Sequence, residues 1–305
     1  MTIVVLLGPT SSGKTGLGLE LGSLNPKLEL ISADSRQVFK YMDVGTGKVP
    51  QNSSYTISKH DKYWLINGVK VWGYDLVSPA EYFSAYDYTV FAKATIAAIY
   101  SRGNCPLIIG GTGFFIDALT GRLNLASAEP NFGLRKELNE LTLEQALSRL
   151  KALNESDYHK IDQRNKIRVI RAIERNMLPQ VEAQPTAELA FSYFGLVDER
   201  QNLYDRVDKW AECIWGEALF EELRVLDRLG YKDTPPLKGL VYKTATAYLM
   251  GDVSFSEGLV RLKFDLHAYI RRQQTWFKKN DTITWLTVAD RQANLVTLGN
   301  ALTLG

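Results

Sequence analysis

Gly8, Pro9, Thr10, Ser11, Ser12, Gly13, Lys14 and Thr15 together spell Gly-x4-Gly-Lys-Thr, a spacing that can wrap an anion. Glycines let the backbone approach a phosphate closely, and the N–H groups of the loop and of the following helix point at its oxygens. In that arrangement Lys14 contacts the phosphates and Thr15 holds Mg²⁺ through its hydroxyl. A plain Gly-rich turn is the competing reading. The context counts against it, because the apolar run Ile3–Leu7 precedes the loop and a helical pattern over 14–24 follows. The motif implies phosphate binding and leaves the reaction open. Nucleoside triphosphatases with this loop usually set an Asp after a second apolar strand. Here the run Leu107–Ile109 passes directly into Gly110-Gly-Thr112-Gly113 with no Asp, which favours a different diphosphate ligand over ATP.

A second group of polar residues follows the second strand pattern, Leu28–Ser32. Asp34, Ser35, Arg36 and Gln37 then stand at the carboxyl edge of a parallel sheet, where ligands bind. A carboxylate there can accept a proton from a nucleophile or bind Mg²⁺. Asp34 as an N-cap for a following helix is the alternative on spacing alone. Arg36 and Gln37 offer forked hydrogen bonding suited to a base or a phosphate. Met42-Asp-Val-Gly-Thr-Gly-Lys48 is a further Gly-bracketed turn, with Thr46 and Lys48 as candidate ligand contacts.

The elements that must hold these residues alternate. Strand patterns over 3–7, 28–32, 69–74 and 106–109 are interleaved with helical patterns over 14–24 and 82–100. Such alternation predicts an α/β fold with a mostly parallel sheet flanked by helices, of the P-loop NTPase-like kind. After about Gly121 the chain turns polar, charge-rich and helical over 130–178, and Leu178–Pro185 breaks that region. A strand over 193–197, helices over 203–229, 239–250 and 256–278, and a short strand over 282–288 complete the pattern. The predicted organisation is a catalytic core of residues 1–121 and 190–305, interrupted by a small helical insertion domain at 122–189.

The chain has 305 residues, 45% of them hydrophobic and 23% charged, with a formal net charge of +2. That is a globular composition, and a balanced total can still hide a basic face. Residues 160–175 hold Lys160, Arg164, Lys166, Arg168, Arg171 and Arg175 against two acids, and residues 261–279 hold six basic residues against Asp265 alone. A solvated helix face and a contact surface for nucleic-acid phosphates are both open readings of each. Cys105 and Cys213 have no metal-site spacing and read as small core residues, which suits the reducing cytoplasm. His60, His159 and His267 are scattered and read as structural or surface residues. The N-terminus reads as a buried strand rather than a leader, and no apolar run approaches the roughly 18 to 20 residues of a membrane span.

Taken in order, these motifs resemble the tRNA dimethylallyltransferase (tRNA isopentenyltransferase) family. The resemblance runs through Gly8–Thr15, Ala33-Asp-Ser-Arg-Gln-Val-Phe39, Met42–Lys48, Gly110-Gly-Thr-Gly-Phe-Phe115, Arg168-Val-Ile-Arg-Ala-Ile-Glu174 and Arg271-Arg-Gln-Gln-Thr-Trp-Phe277, covering nearly the whole chain. It implies transfer of a dimethylallyl group from dimethylallyl diphosphate to N6 of adenosine 37 in tRNAs that read codons starting with U. It implies Asp34 as the general base, Lys14, Thr15 and Mg²⁺ at the departing diphosphate, and Thr112 as a substrate-contacting residue. Asp34, Ser35, Arg36, Gln37, Thr112, Arg135, Arg168, Arg171, Lys243, Arg271 and Arg272 are the implied tRNA contacts, and the insertion would close over the anticodon stem-loop. A cytoplasmic monomer is expected. The chain departs from the family at Arg175–Leu189, which lacks a Thr-Gly-Lys-Pro-like turn, and at Gly239-Leu-Val-Tyr242-Lys243, an altered Gly-Tyr-Lys-Glu segment. No Cys/His zinc finger is present, as in the shorter bacterial form. An adenylate isopentenyltransferase using free AMP, ADP or ATP, and a small-molecule kinase, remain as alternatives.

Overall fold

A computed structural model describes residues 2–50, 54–123, 130–177 and 189–303. Its strands are β1 (Thr2–Leu7), β2 (Leu28–Ser32), β3 (Ile57–His60), β4 (Tyr63–Ile66), β5 (Val69–Trp72), β6 (Cys105–Gly110), β7 (Ala190–Val197) and β8 (Ile283–Thr287). They form one sheet in the order β3-β4-β5-β2-β6-β1-β7-β8. From β5 to β8 every neighbouring pair is parallel, and only β3 and β4 run antiparallel to their neighbours. The central strands β1, β2 and β6 are buried nearly throughout and largely apolar, as expected of strands covered on both faces. The core joins Val4, Leu6, Leu30 and Leu107 of these strands to Leu17 and Leu21 of α1 (Lys14–Leu24) and to Leu295 and Leu298 near the C-terminus. The α/β fold anticipated from alternation is the fold observed.

The chain divides into two compact units, Met1–Leu123 with Leu189–Gly305, and Asn124–Glu188. The second unit contains four helices among the described residues: Phe132–Glu140, Leu143–Leu153, Glu155–Lys160 and Lys166–Met177. Leu138, Ala146, Leu150, Val169, Ile170 and Ile173 form its own core. The breaking segment Leu178–Pro185 and most of Arg175–Leu189 lie outside the described residues.

Several local expectations change for identifiable reasons. The helix expected from Tyr82 starts at Ala85, because Ser84 accepts from the Asp87 N–H while the Asp87 side chain accepts from the Ser84 N–H. The single helix expected over 203–229 is two, Arg200–Ile214 and Glu217–Arg228. Trp215 sits between them, buried, with its indole N–H bonded to the Phe255 carbonyl. The hairpin of β3 and β4 and the last helix, Arg291–Thr303, were not anticipated; β3 is exposed along its whole length, so it carries no alternation to read. Cys213 is exposed rather than a core residue. No described helix is long and apolar enough to cross a membrane.

One close approach sets the spacing of the central strands' carboxyl ends. The Ala33 N–H donates to the Ile109 carbonyl at 2.7 Å, and the Thr112 N–H donates to the Ala33 carbonyl at 3.2 Å. A Cβ on Gly110 would collide with that same Ala33 carbonyl, so only glycine fits there. Gly110→Ala is expected to cost about 1–3 kcal/mol through overpacking. A thermal melt checks it, with a drop of roughly 2–4 °C per kcal/mol for a chain of this size; an unchanged melt would show that the two loops can separate freely.

Candidate active site

The carboxyl ends of β1, β2 and β6 bring three segments together: the loop 8–15, the turn 33–37 and the turn 110–113. The first is held in phosphate-binding form by its backbone. Gly13 has φ of 85° and Ser11 of 58°, left-handed values that a glycine takes freely and a serine only where the fold imposes it. The imposing contact is Arg206, whose Nε donates to the Ser11 carbonyl at 2.8 Å. Arg206 is itself paired with Asp198 at 2.7 Å. Lys14 folds back over the loop, donating to the Pro9 carbonyl at 2.6 Å and approaching Ser12 Oγ at 3.3 Å.

One cavity of about 290 Å³ runs along all three segments, at the small end for a ligand site. Lys14, Thr15, Asp34, Arg36, Gln37, Thr46 and Tyr269 supply its polar wall, and Val49, Trp210, Leu240, Val241 and Leu266 its apolar wall. Burial lowers the Lys14 pKa to about 8, against the attraction of Asp34. Burial likewise raises the Asp34 carboxyl, although the Arg36 and Gln37 N–H groups and Lys14 favour its charge. Both groups are therefore moved toward neutrality, Asp34 toward a better base and Lys14 toward a proton that an incoming anion can restore.

Asp34 Oδ1 accepts from the Arg36 N–H at 2.8 Å and from the Gln37 N–H at 3.3 Å. The N-cap reading is not met, because residues 35–38 form a turn and no helix follows Asp34; the carboxylate instead closes that turn and lines the cavity. Thr112 Oγ1 accepts from the Ser35 N–H at 3.1 Å, which ties the turn of β6 to the Asp34 turn. Tyr269 reaches the same threonine, and burial beside Asp34 pushes its hydroxyl well above the ordinary tyrosine range.

Several sequence candidates are placed differently from their expected roles. Lys48 is fully buried and paired with Asp43 and Asp75, so it is a structural cation and not a ligand contact. Gln37 is also buried; its amide accepts from Ser32 and donates to the Thr46 and Gly47 carbonyls. Arg36 lines the cavity but one nitrogen is committed to the Pro236 carbonyl at 2.8 Å. Arg135 faces the buried carboxylate of Glu174 at 2.8 Å rather than solvent. Arg168, Lys243, Arg271 and Arg272 are exposed, and Arg171 is partly so. Arg271 donates to the Tyr204 hydroxyl at 2.9 Å.

Arg206 and Glu222 escaped sequence reading, and Gln273, although part of the Arg271–Phe277 motif, takes no role from it. Glu222 accepts from the Asp43, Val44 and Gly45 N–H groups at 2.7, 2.7 and 3.0 Å, and from the Tyr242 hydroxyl at 2.7 Å. It holds the turn that forms one side of the cavity. No local motif marks it, since its three backbone partners lie about 180 positions away. Glu222→Ala strands three backbone donors and is expected to lower stability by about 3 kcal/mol, while Glu222→Gln loses less. Urea unfolding measures both, and equal losses would contradict the capping role.

Comparison with known proteins bears on this arrangement. A family model described as IPP transferase matches residues 37–280. A tRNA dimethylallyltransferase of Acetivibrio thermocellus is 34% identical over 297 residues, covering 93% of this chain and 91% of that protein. One from Clostridioides difficile is 31% identical, over 99% of this chain and 96% of that one. The crystal structure of the full-length tRNA isopentenylpyrophosphate transferase from Bacillus halodurans aligns with a TM-score of 0.70 at 28% identity, covering 99% of this chain and 95% of that one. With its phosphate loop, its turn at Asp34 and this full-length similarity, the chain belongs to the tRNA dimethylallyltransferase (IPP transferase) family.

Proposed function

We propose that this chain transfers the dimethylallyl group of dimethylallyl diphosphate to N6 of adenosine 37 in tRNAs reading codons that begin with U. The observation that carries the reading is that the phosphate loop and Asp34 line one cavity that also has an apolar wall of Val49, Trp210, Leu240, Val241 and Leu266. That arrangement suits a diphosphate leaving group, a five-carbon chain and an amine that must lose a proton. In the step, the C1–O bond of the donor breaks and its electron pair leaves with diphosphate. The N6–C1 bond forms, and the N6 proton passes to the Asp34 carboxylate. An adenine amino group is a weak nucleophile, so removing its proton and stabilising the leaving charge are the two contributions required.

Lys14 and the loop N–H groups bind the diphosphate, and Thr112 with Ser35 orients the acceptor beside Asp34. The Thr15 hydroxyl is a hard oxygen donor of the kind Mg²⁺ takes together with substrate phosphates. When bound, Mg²⁺ would spread the charge of the departing diphosphate. The adenine must leave its stack to reach the cavity. Arg168, Arg171, Lys243, Arg271 and Arg272 are proposed contacts for the tRNA backbone, which would make affinity fall steeply with salt. The enzyme is proposed to work as a cytoplasmic monomer.

Labelled dimethylallyl diphosphate with unmodified tRNA tests the reading. Label is expected in tRNA and absent when Asp34→Ala replaces the wild type; label in free AMP but not tRNA would move the assignment to an adenylate isopentenyltransferase. The pH dependence of kcat/KM for the donor gives a second expectation. Asp34 must be ionised, so the acid limb should lie above the ordinary Asp range; Lys14 must be protonated, so the rate should fall through about pH 8. In Asp34→Asn the acid limb should vanish and kcat drop by about 10²–10⁴-fold. An acid limb that survives this substitution assigns the base elsewhere.

A further inference from the structure

The donor loop and the acceptor turn issue from different strands, β1 and β6, yet the reaction needs their spacing held to a fraction of an ångström. One side chain bridges them. Gln273 lies on the helix Phe255–Phe277 and is 5% exposed. Its Oε1 accepts from the Thr10 N–H at 2.8 Å, and its Nε2 donates to the Gly111 carbonyl at 2.9 Å. The amide lies against the turn so closely that a Cβ on Gly111 would stand 2.5 Å from Nε2. One turn further along the helix, Trp276 donates to Asp117 at 2.8 Å and fills the space a Cβ on Gly113 would need. The helix is therefore fixed to the acceptor side independently of Gln273.

Gly111 directly precedes Thr112, and Thr112 Oγ1 accepts from the Ser35 N–H beside Asp34. A continuous path of hydrogen bonds and one peptide unit thus joins the phosphate loop to the turn bearing the carboxylate. We infer that Gln273 is a positioning residue that sets the distance between the leaving diphosphate and the proton acceptor. This rests on the transfer reaction proposed above. Its two bonds are of opposite polarity, so the bridging group must both accept and donate, which a carboxamide or a protonated carboxylic acid does and an ionised carboxylate does not. A displaced loop would still bind diphosphate but would hold the donor carbon away from the attacking amine. Misplacement of about 1 Å is enough for a rate loss near 10²-fold.

Gln273→Glu and Gln273→Leu test the inference, with kcat, KM for donor and tRNA, inorganic diphosphate affinity and melting temperature measured for each. Ionised Glu keeps the bond from Thr10 and loses the one to Gly111. Gln273→Glu is expected to bind diphosphate within about threefold of wild type while kcat falls about 10²-fold at pH 8. Its kcat relative to wild type should climb toward about one-tenth as pH drops to 6, because a proton on the buried carboxyl restores the donor. Gln273→Leu should show the loss at every pH. A ratio that does not change with pH, a kcat loss matched by an equal loss of diphosphate affinity, or an unchanged kcat would overturn the inference. Should Gln273→Leu fail to fold, the pH ratio of Gln273→Glu decides alone. A wild type that binds diphosphate yet labels no tRNA would instead refute the transfer reaction itself.

Discussion

Lys14 and Asp34 share one cavity, and the balance between their desolvation and their mutual attraction governs the rest of the site. Burial disfavours both charges, and each is partly restored by the other. In the proposed reaction, a diphosphate arriving at the loop would favour the protonated lysine, with Asp34 left to take the proton of the acceptor. Lys14 now engages the Pro9 carbonyl and the Ser12 hydroxyl. Neither group needs an unusual chemistry of its own; the low local polarity makes ordinary side chains effective.

That cavity exists only because three strand ends lie at fixed spacing. The sheet supplies the coarse part, through the parallel register of β2, β6 and β1 and the backbone bonds around Ala33. The fine part comes from side chains on helices in the last third of the chain. Arg206 holds the Ser11 carbonyl, Gln273 the Thr10 N–H, and Glu222 three successive N–H groups of the 43–45 turn. Each contact uses a charged or amide group to satisfy backbone that would otherwise be unpaired in a poorly solvated place. The loops are thereby rigid where substrate meets them, as positioning by a preorganised frame requires.

Motif residues were legible where their roles are local. Lys14, Thr15, Asp34 and Thr112 could be chosen because a loop, a strand end and a Gly-rich turn each carry their geometry within a few positions. Lys48 misled for the same reason in reverse. Its spacing in a Gly-bracketed turn suggests a ligand contact, yet its environment is set by Asp75, 27 positions away, and by Trp64. Arg135 misled similarly, since Glu174 that neutralises it belongs to a different helix.

By itself, the sequence determined the α/β class, the phosphate loop and the carboxylate at the second strand end. Alternating patterns and short motifs are properties of neighbouring residues and survive without tertiary information. Only the tertiary structure decided which polar side chains face the cavity and which are spent inside the protein. It alone revealed Arg206 and Glu222 and the role of Gln273, because a hydrogen bond spanning 263 positions leaves no periodic or spacing signal in the chain. The phosphate loop could be read from eight residues, but its backbone is also held by a glutamine 263 positions further along the chain.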